Sequence, residues 1–213
     1  MMIHSFTDMP KPVRNGGSSR VVVADKRDAI LRAATKVFAV NGYFSSKVSD
    51  IAGEAGIADG TVYLYFKSKD EILHSIFDRA MAKFIEEGKR ELATLTDATA
   101  KLTRIAELHL ESLGSDRDMA VVFQVELRGS TKFMQEFSAA GFGEYLDIIR
   151  STIEDGQVSG DFRADIKPIV AAKILYGSLD EMVTNWVLSE KAYPLKPLAH
   201  EVMKIFLGGM LVK

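Results

Sequence analysis

From Asp25 onward, apolar residues recur at intervals of three and four along nearly the whole chain, with no strand-length stretch of alternation. That period predicts an all-α protein. The first helix, over 26–40, places Ile30, Ala33, Ala34, Val37 and Phe38 on one face, and "NGY" at 41–43 supplies the Asn and Gly that end helices. A short helix follows, with Ser46 as its expected N-cap and Val48, Ile51, Ala52 and Ala55 as its buried stripe. Gly56 breaks it, and a third helix starts at Ala58 or Asp59. Two short helices across a Gly-containing turn, with the small Ala52 where they approach, form a helix-turn-helix pattern. "SKDE" at 68–71 is a capping box: the Ser68 hydroxyl accepts from the Glu71 amide while the Glu71 carboxylate reaches back. It starts a long fourth helix carrying Ile72, Leu73, Ile76, Phe77, Ala80 and Phe84. Further amphipathic helices are expected over 99–113, 116–128, 131–155, 166–189 and 198–211, with Pro168 and Pro197 at positions where a first turn tolerates them.

Composition narrows the classes. A 213-residue chain that is 47% hydrophobic and 26% charged has the balance of a soluble globular protein. The absence of cysteine excludes disulfides, thiolate metal sites and cysteine nucleophiles. No apolar run reaches the roughly 18–20 residues of a membrane span, and the first residues lack the apolar core of a secretory signal, so a cytoplasmic protein without membrane contact is expected. The Pro, Gly and Ser content of residues 1–24 reads as a flexible arm, with Arg14 and Arg20 solvated. The net charge of −2 hides an asymmetry: residues 1–70 hold ten Lys/Arg against seven Asp/Glu, and the remainder seventeen against twenty-two. The basic surplus therefore sits with the helix-turn-helix. The four histidines, at 4, 74, 109 and 200, lie on the arm or on separate helices without metal-site spacing, and there is no Gly-rich phosphate loop. Neither an enzyme nor a resident cofactor is expected.

The stretch "ADGTVYLYFKSKDEIL" at 58–73 crowds three rings into four positions before turning basic. At about 100° per residue, Val62 and Phe66 share one face, while Gly60, Leu64 and Lys67 share the other with Tyr63 beside them. With Val62 and Phe66 packed on Ile51 and Phe38, the facing stripe presents a leucine and a tyrosine where solvent favours charge. A DNA duplex gives these residues work. Gly60 admits a phosphate backbone, Thr61 and Tyr63 offer hydroxyls, Lys67 and Lys69 add charge, Leu64 meets a thymine methyl, and Asp59 accepts from a cytosine amino group. Half-buried packing of Tyr63 and Tyr65 is the competing reading.

Residues 26–77, through "ILRAATKVFAVNGY" and "KVSDIAGEAGIADGTVYLYFKSKDEIL", closely resemble the DNA-binding domain of the tetracycline-repressor (TetR) family of bacterial transcription regulators. The resemblance implies a three-helix DNA-binding domain at 25–70 that contacts operator DNA through Ser46, Lys47, Asp59, Gly60, Thr61, Tyr63, Leu64, Tyr65, Lys67 and Lys69. It also implies a larger α-helical ligand-binding and dimerisation domain at 71–213, whose last two helices pair in a homodimer. Ser49 and Ala58 depart from the arginine and the hydroxyl cap that many members carry, so the operator sequence does not transfer.

Within the family, "VVFQVELRGS" at 121–130, "EYLDIIRSTIEDGQVSGDF" at 144–162 and "ILYGSLDEMVTNWVL" at 174–188 resemble the fatty-acid-degradation (FadR-type) regulators, which release DNA on binding long-chain acyl-CoA. That chemistry asks for an apolar tunnel and cations for phosphate. Leu108, Phe123, Leu127, Leu146, Ile149, Ile153, Tyr176 and Leu179 are the candidate lining, Arg104 and Arg128 the candidate cations, and His109 a helix residue near the pocket. For each arginine a salt bridge is the competing reading. A drug-responsive efflux repressor, with an aromatic pocket and a buried acid, is the alternative regulator, and an all-α acyl-CoA-binding protein or enzyme with an incidental helix-turn-helix the alternative class.

Overall fold

The computed structural model describes residues 16–129, 131, 133–135, 141–191 and 193–212, with side chains from Asp25 onward. Its helices are α1 (Gly16–Asn41), α2 (Val48–Ala55), α3 (Asp59–Val62), α4 (Lys69–Leu92), α5 (Ala98–Gly114), α6 (Arg117–Val121), α7 (Gly141–Ser159), α8 (Pro168–Leu188) and α9 (Leu198–Met210). Among the described residues the only strand-like pairing is a single antiparallel bridge between Phe162 and Leu211, so the all-α expectation holds.

Local chemistry sets the boundaries. Gly42, at φ +77°, ends α1, and Gly56, at φ +67°, ends α2, with the Ile57 amide reaching Ala52 O at 3.0 Å. Both are left-handed positions that a side chain disfavours. The Ser68 hydroxyl accepts from the Glu71 amide at 3.1 Å as expected, but the Glu71 carboxylate reaches one residue further, to the Lys67 amide at 2.6 Å. Pro168 stands in the first turn of α8.

Three expectations need correction, and a fourth element runs further than expected. Helix α1 reaches back to Gly16, into the segment read as an arm, while residues 1–15 lie outside the described residues. Lys47, not Ser46, is the N-cap of α2: Ser46 is buried, and its hydroxyl donates to Gly42 O at 2.6 Å. The helix expected over 131–155 is helical at residues 131, 133–135 and Gly141–Ser159, with 132 and 136–140 outside the described residues, and it runs on to Ser159. The 116–128 helix is regular only to Val121, and continues as a π-helical turn over Val122–Glu126 and a 3₁₀ turn over Leu127–Gly129.

Two cores result. The first unites Ile30, Phe38, Ile51, Val62 and Phe66 of the helix-turn-helix head with Ile72, Leu73, Ile76 and Phe77 of α4, and takes in Val122, Leu127 and Phe133. The second, in the body, includes Met81 and Ile85 of α4 with Leu102, Ile149, Ile153, Leu179 and Trp186. One helix, α4, therefore serves both, and the head core extends past residue 70. Arg117 ties α6 to the end of α8, donating to the carbonyls of Trp186, Val187 and Ser189 at 3.2, 2.9 and 3.1 Å, where a cation also offsets the helix dipole.

The body core is packed tightly where α7 meets the segment after it. A Cβ at Gly156 would stand 2.3 Å from the ring of the fully buried Phe162. Gly156→Ala should therefore lower the stability of the protein by about 1–3 kcal/mol, the usual cost of overpacking, visible as a reduced thermal midpoint; an unchanged midpoint would mean the ring moves freely.

Candidate DNA interface and effector cavity

In the head, Val62 and Phe66 are buried, while Tyr63 is 57% and Leu64 81% exposed. Val62 and Phe66 are thus core as expected, and the half-buried packing weighed for the two tyrosines fails for Tyr63 and holds for Tyr65. Asp59, Gly60, Lys47 and Lys67 are exposed, and Thr61 and Tyr65 are half-buried. Helix α3 is a single turn, and its cap, Ala58, offers no side-chain acceptor for the free amides. The stripe nonetheless faces outward, and Phe44, 68% exposed in the turn before α2, adds an apolar surface that the sequence reading missed.

Two expected contacts have other tasks. Ser46 faces inward, as described. The Lys69 ammonium donates to Tyr43 O at 2.6 Å and Ser46 O at 2.7 Å, and lies 4.4 Å from the centre of the Tyr43 ring. It fastens the turn between α1 and α2 to the start of α4, so its ammonium is held within the protein.

Tyr43 is the centre of this fastening. Its hydroxyl bonds the Asp70 carboxylate, its ring meets those of Phe38 and Phe133 edge-on at 5.3 and 5.1 Å, and its amide donates to Glu126 Oε2 at 2.7 Å. Glu126 belongs to the π-helical turn of the body. The head is thus tied to that turn by a charge-assisted hydrogen bond as well as by the shared core.

The other side of the same turn lines a cavity of about 80 Å³ bounded by Met81 and Phe84 of α4, His109 and Leu113 of α5, Met119 of α6, Phe123, Gln124 and Leu127, Phe142 and Tyr145 of α7, and Tyr176 and Asp180 of α8. Of the residues expected to line it, Phe123, Leu127 and Tyr176 do so. Leu108, Ile149, Ile153 and Leu179 are buried elsewhere, and Leu146 is half-buried outside the lining. On α5 the reason is periodicity: His109, Ser112 and Leu113 share the cavity face, from which Leu108 is turned by about 100°. Arg104 is also outside, bonded to Glu91 and, at 2.9 Å, to Glu107. Those partners hold its guanidinium above the ordinary arginine range, the Glu91 hydrogen bond first.

One polar network interrupts the rings. Buried Asp180 accepts from Gln124 Nε2 at 2.9 Å, from the Tyr176 hydroxyl at 3.1 Å and from Arg128. Arg128 therefore stands beside the cavity with its charge matched, as the salt-bridge reading required. His109 Nδ1 lies 3.0 Å from the Tyr145 hydroxyl, and the two rings stack at 29°. Burial pushes the His109 imidazole down to about 4, against a smaller upward pull from Asp180. Sequence reasoning missed Asp180, Gln124, Glu126 and Tyr145. The signal available was an acid inside the otherwise apolar face of "ILYGSLDEMV". Among the described residues no helix is long and apolar enough to cross a membrane, and no His, Cys, Asp or Glu cluster is arranged to hold a metal.

A helix-turn-helix head on a helical body with a small internal cavity between its helices is the architecture of a one-component transcription regulator. The chain belongs to the tetR family of bacterial regulatory proteins: the family's N-terminal model matches residues 30–76, and the model for the C-terminal region of YsiA-like proteins matches residues 77–209. It is 36% identical over 181 residues to a fatty acid metabolism regulator protein of Bacillus subtilis (strain 168), covering 85% of this chain and 93% of that one. Among solved structures it is similar to the regulator FadR of Bacillus subtilis in complex with stearoyl-CoA (36% identity, TM-score 0.81, 85% of this chain and 98% of that chain). It is equally similar to the fatty acid degradation regulator FadR of Bacillus halodurans (35% identity, TM-score 0.82, 86% and 95%).

The depressed His109 titration has a consequence for stability. Between about pH 6.5 and 4 the unfolded chain takes up a proton at this residue and the folded chain does not, so stability present above that window is lost as pH falls through it. Denaturant titrations from pH 7 to 4.5 should show a fall that His109→Gln reduces; an equal fall in both proteins would assign the loss to other groups.

Proposed function

We propose that the protein is a homodimeric repressor of fatty-acid degradation genes that leaves its operator when a long-chain acyl-CoA enters the body. The observation that carries this reading is the double use of residues 122–129. Phe123, Gln124 and Leu127 wall the cavity, while Val122 and Leu127 pack in the head core and Glu126 holds the Tyr43 amide. A cavity of about 80 Å³ is far below the roughly 300–1,000 Å³ of an occupied ligand pocket. An acyl chain enters only if the walls part, and this wall cannot part without disturbing the head. Phe77 of α4 meets Phe123 edge-on at 4.9 Å, so α4 moves with it. Release is then a population shift, scaled by the ligand's preference for the opened form.

The reading surface comprises Lys47, Asp59, Gly60, Thr61, Tyr63, Leu64, Tyr65 and Lys67, with Ser46 and Lys69 as internal supports. Dimerisation runs through α8 and α9, where Ile174 and Ile205 are 56% and 80% exposed beside Met182, Val202 and Phe206. An apolar strip of that kind needs a partner, and a second copy places two heads on successive major grooves of a pseudo-palindromic, cytoplasmic operator.

A second reading is favoured by one observation: the cavity is ringed by aromatic side chains and holds a buried acid, the pattern that suits a cationic drug. Arg128 already balances Asp180, which supports the acyl ligand instead.

Operator release titrated with acyl-CoAs of several lengths, free fatty acids and cationic dyes separates the two; release by dyes alone would overturn the fatty-acid reading. Tyr63→Phe and Lys67→Ala should each weaken operator binding several-fold with little change in melting temperature, and Lys67→Ala should reduce the salt slope by about one. Ile205→Glu should yield monomers by sedimentation. Glu126→Gln should keep operator affinity within a few-fold while blunting the acyl-CoA response, and an undiminished response would remove this contact from the route.

A further inference from the structure

His109 is the one described residue whose buried polar atom lacks a partner: Nε2 is enclosed and makes no hydrogen bond, although the ring forms part of the cavity wall. An unsatisfied buried group of this kind is destabilising, so its retention needs a reason. Its tautomer follows from its other nitrogen. The Tyr145 hydroxyl is buried, and the acceptor within its reach is His109 Nδ1, 3.0 Å away. If Tyr145 donates to Nδ1, the imidazole proton resides on Nε2, which becomes a donor at the cavity wall.

The surroundings select what it donates to. Burial keeps the ring uncharged at neutral pH. Asp180 stands on the same wall with Gln124, Tyr176 and Arg128 already bonded to it. A ligand carboxylate would therefore meet an existing carboxylate and no uncommitted cation, whereas a carbonyl or hydroxyl oxygen meets a neutral donor. Apart from the Ser112 hydroxyl the rest of the wall is apolar, with Phe84 and Phe142 flanking Tyr145 and Tyr176 at ring distances of 5.1 and 4.7 Å.

We propose that His109 Nε2–H, oriented by Tyr145, is the hydrogen-bond donor by which the cavity recognises an uncharged oxygen of its effector, either the thioester carbonyl or an oxygen borne by the chain. This assignment rests on the acyl-CoA reading and deepens it: His109 is a specificity determinant that rejects the free acid, and Tyr145 is its positioning residue.

The test is the dissociation constant of the full-length protein for palmitoyl-CoA, its thioether analogue S-hexadecyl-CoA, ω-hydroxypalmitoyl-CoA and palmitate, measured for wild type, His109→Leu and His109→Gln. If the carbonyl is the acceptor, wild type should bind palmitoyl-CoA about tenfold more tightly than the thioether, His109→Leu should abolish that ratio, and His109→Gln, which keeps a donor, should restore part of it. If a chain oxygen is the acceptor, the hydroxylated probe should hold the advantage and lose it in His109→Leu. Palmitate should bind wild type most weakly under either outcome. Should His109→Leu not fold, Tyr145→Phe must shrink the same ratio. A factor common to all probes, or no change in any, overturns the His109 assignment while leaving the acyl-CoA reading intact; a wild type that binds none of the CoA probes overturns both.

Discussion

The contact on which the molecule turns is the hydrogen bond from the Tyr43 amide to the Glu126 carboxylate, set in the ring cluster of Phe38, Tyr43 and Phe133. Tyr43 follows the left-handed Gly42, so the chain leaving α1 has one short corner in which to reverse. Three of the contacts that orient the reading helices meet at that corner: Lys69 clamps its carbonyls, Asp70 its hydroxyl and Glu126 its amide. Each clamp is charge-assisted, and such bonds have strong distance dependence. A small displacement of the body turn is therefore felt at the head as a lost anchor and not as a gentle strain.

The π-helical turn makes that displacement feasible. A regular helix from Arg117 to Gly129 would be stiff; the wider turn at Val122–Glu126 breaks the uniform ladder in the stretch that serves two cores. Such turns often mark functional positions because their hydrogen bonds rearrange at low cost. The neighbouring cavity is small and ringed by aromatic side chains, so filling it must move rings, and Phe123, in contact with Phe77 of α4, is one of them.

Much of this was legible in the pattern of residues. The periodicity gave the helices, glycine and capping chemistry gave their ends, and the facing of Val62 and Phe66 against Tyr63 and Leu64 came from the 100° step alone. The π turn was not legible, because "VVFQVELRG" has ordinary helical spacing and its irregularity comes from serving two cores at once. Nor were the partners of Lys69, Arg104 and Arg128: charge in a sequence does not reveal what already binds it, and here carbonyls hold Lys69 while carboxylates hold the two arginines. The acyl-lining candidates failed in number for a related reason, since a helix buried on most sides, such as α7 or α8, gives no sign of which apolar side chain borders a void.

The diversion of Lys69 into the corner has a thermodynamic corollary. Of the lysines in the segment 46–69, Lys47 and Lys67 stand exposed, while Lys69 is drawn inward. Each cation that neutralises a phosphate frees close to one condensed counterion from the duplex, and the entropy of that release falls as the surrounding salt rises. A head with few such cations draws less of its grip from ion dilution and more from fitted hydroxyls and apolar contacts.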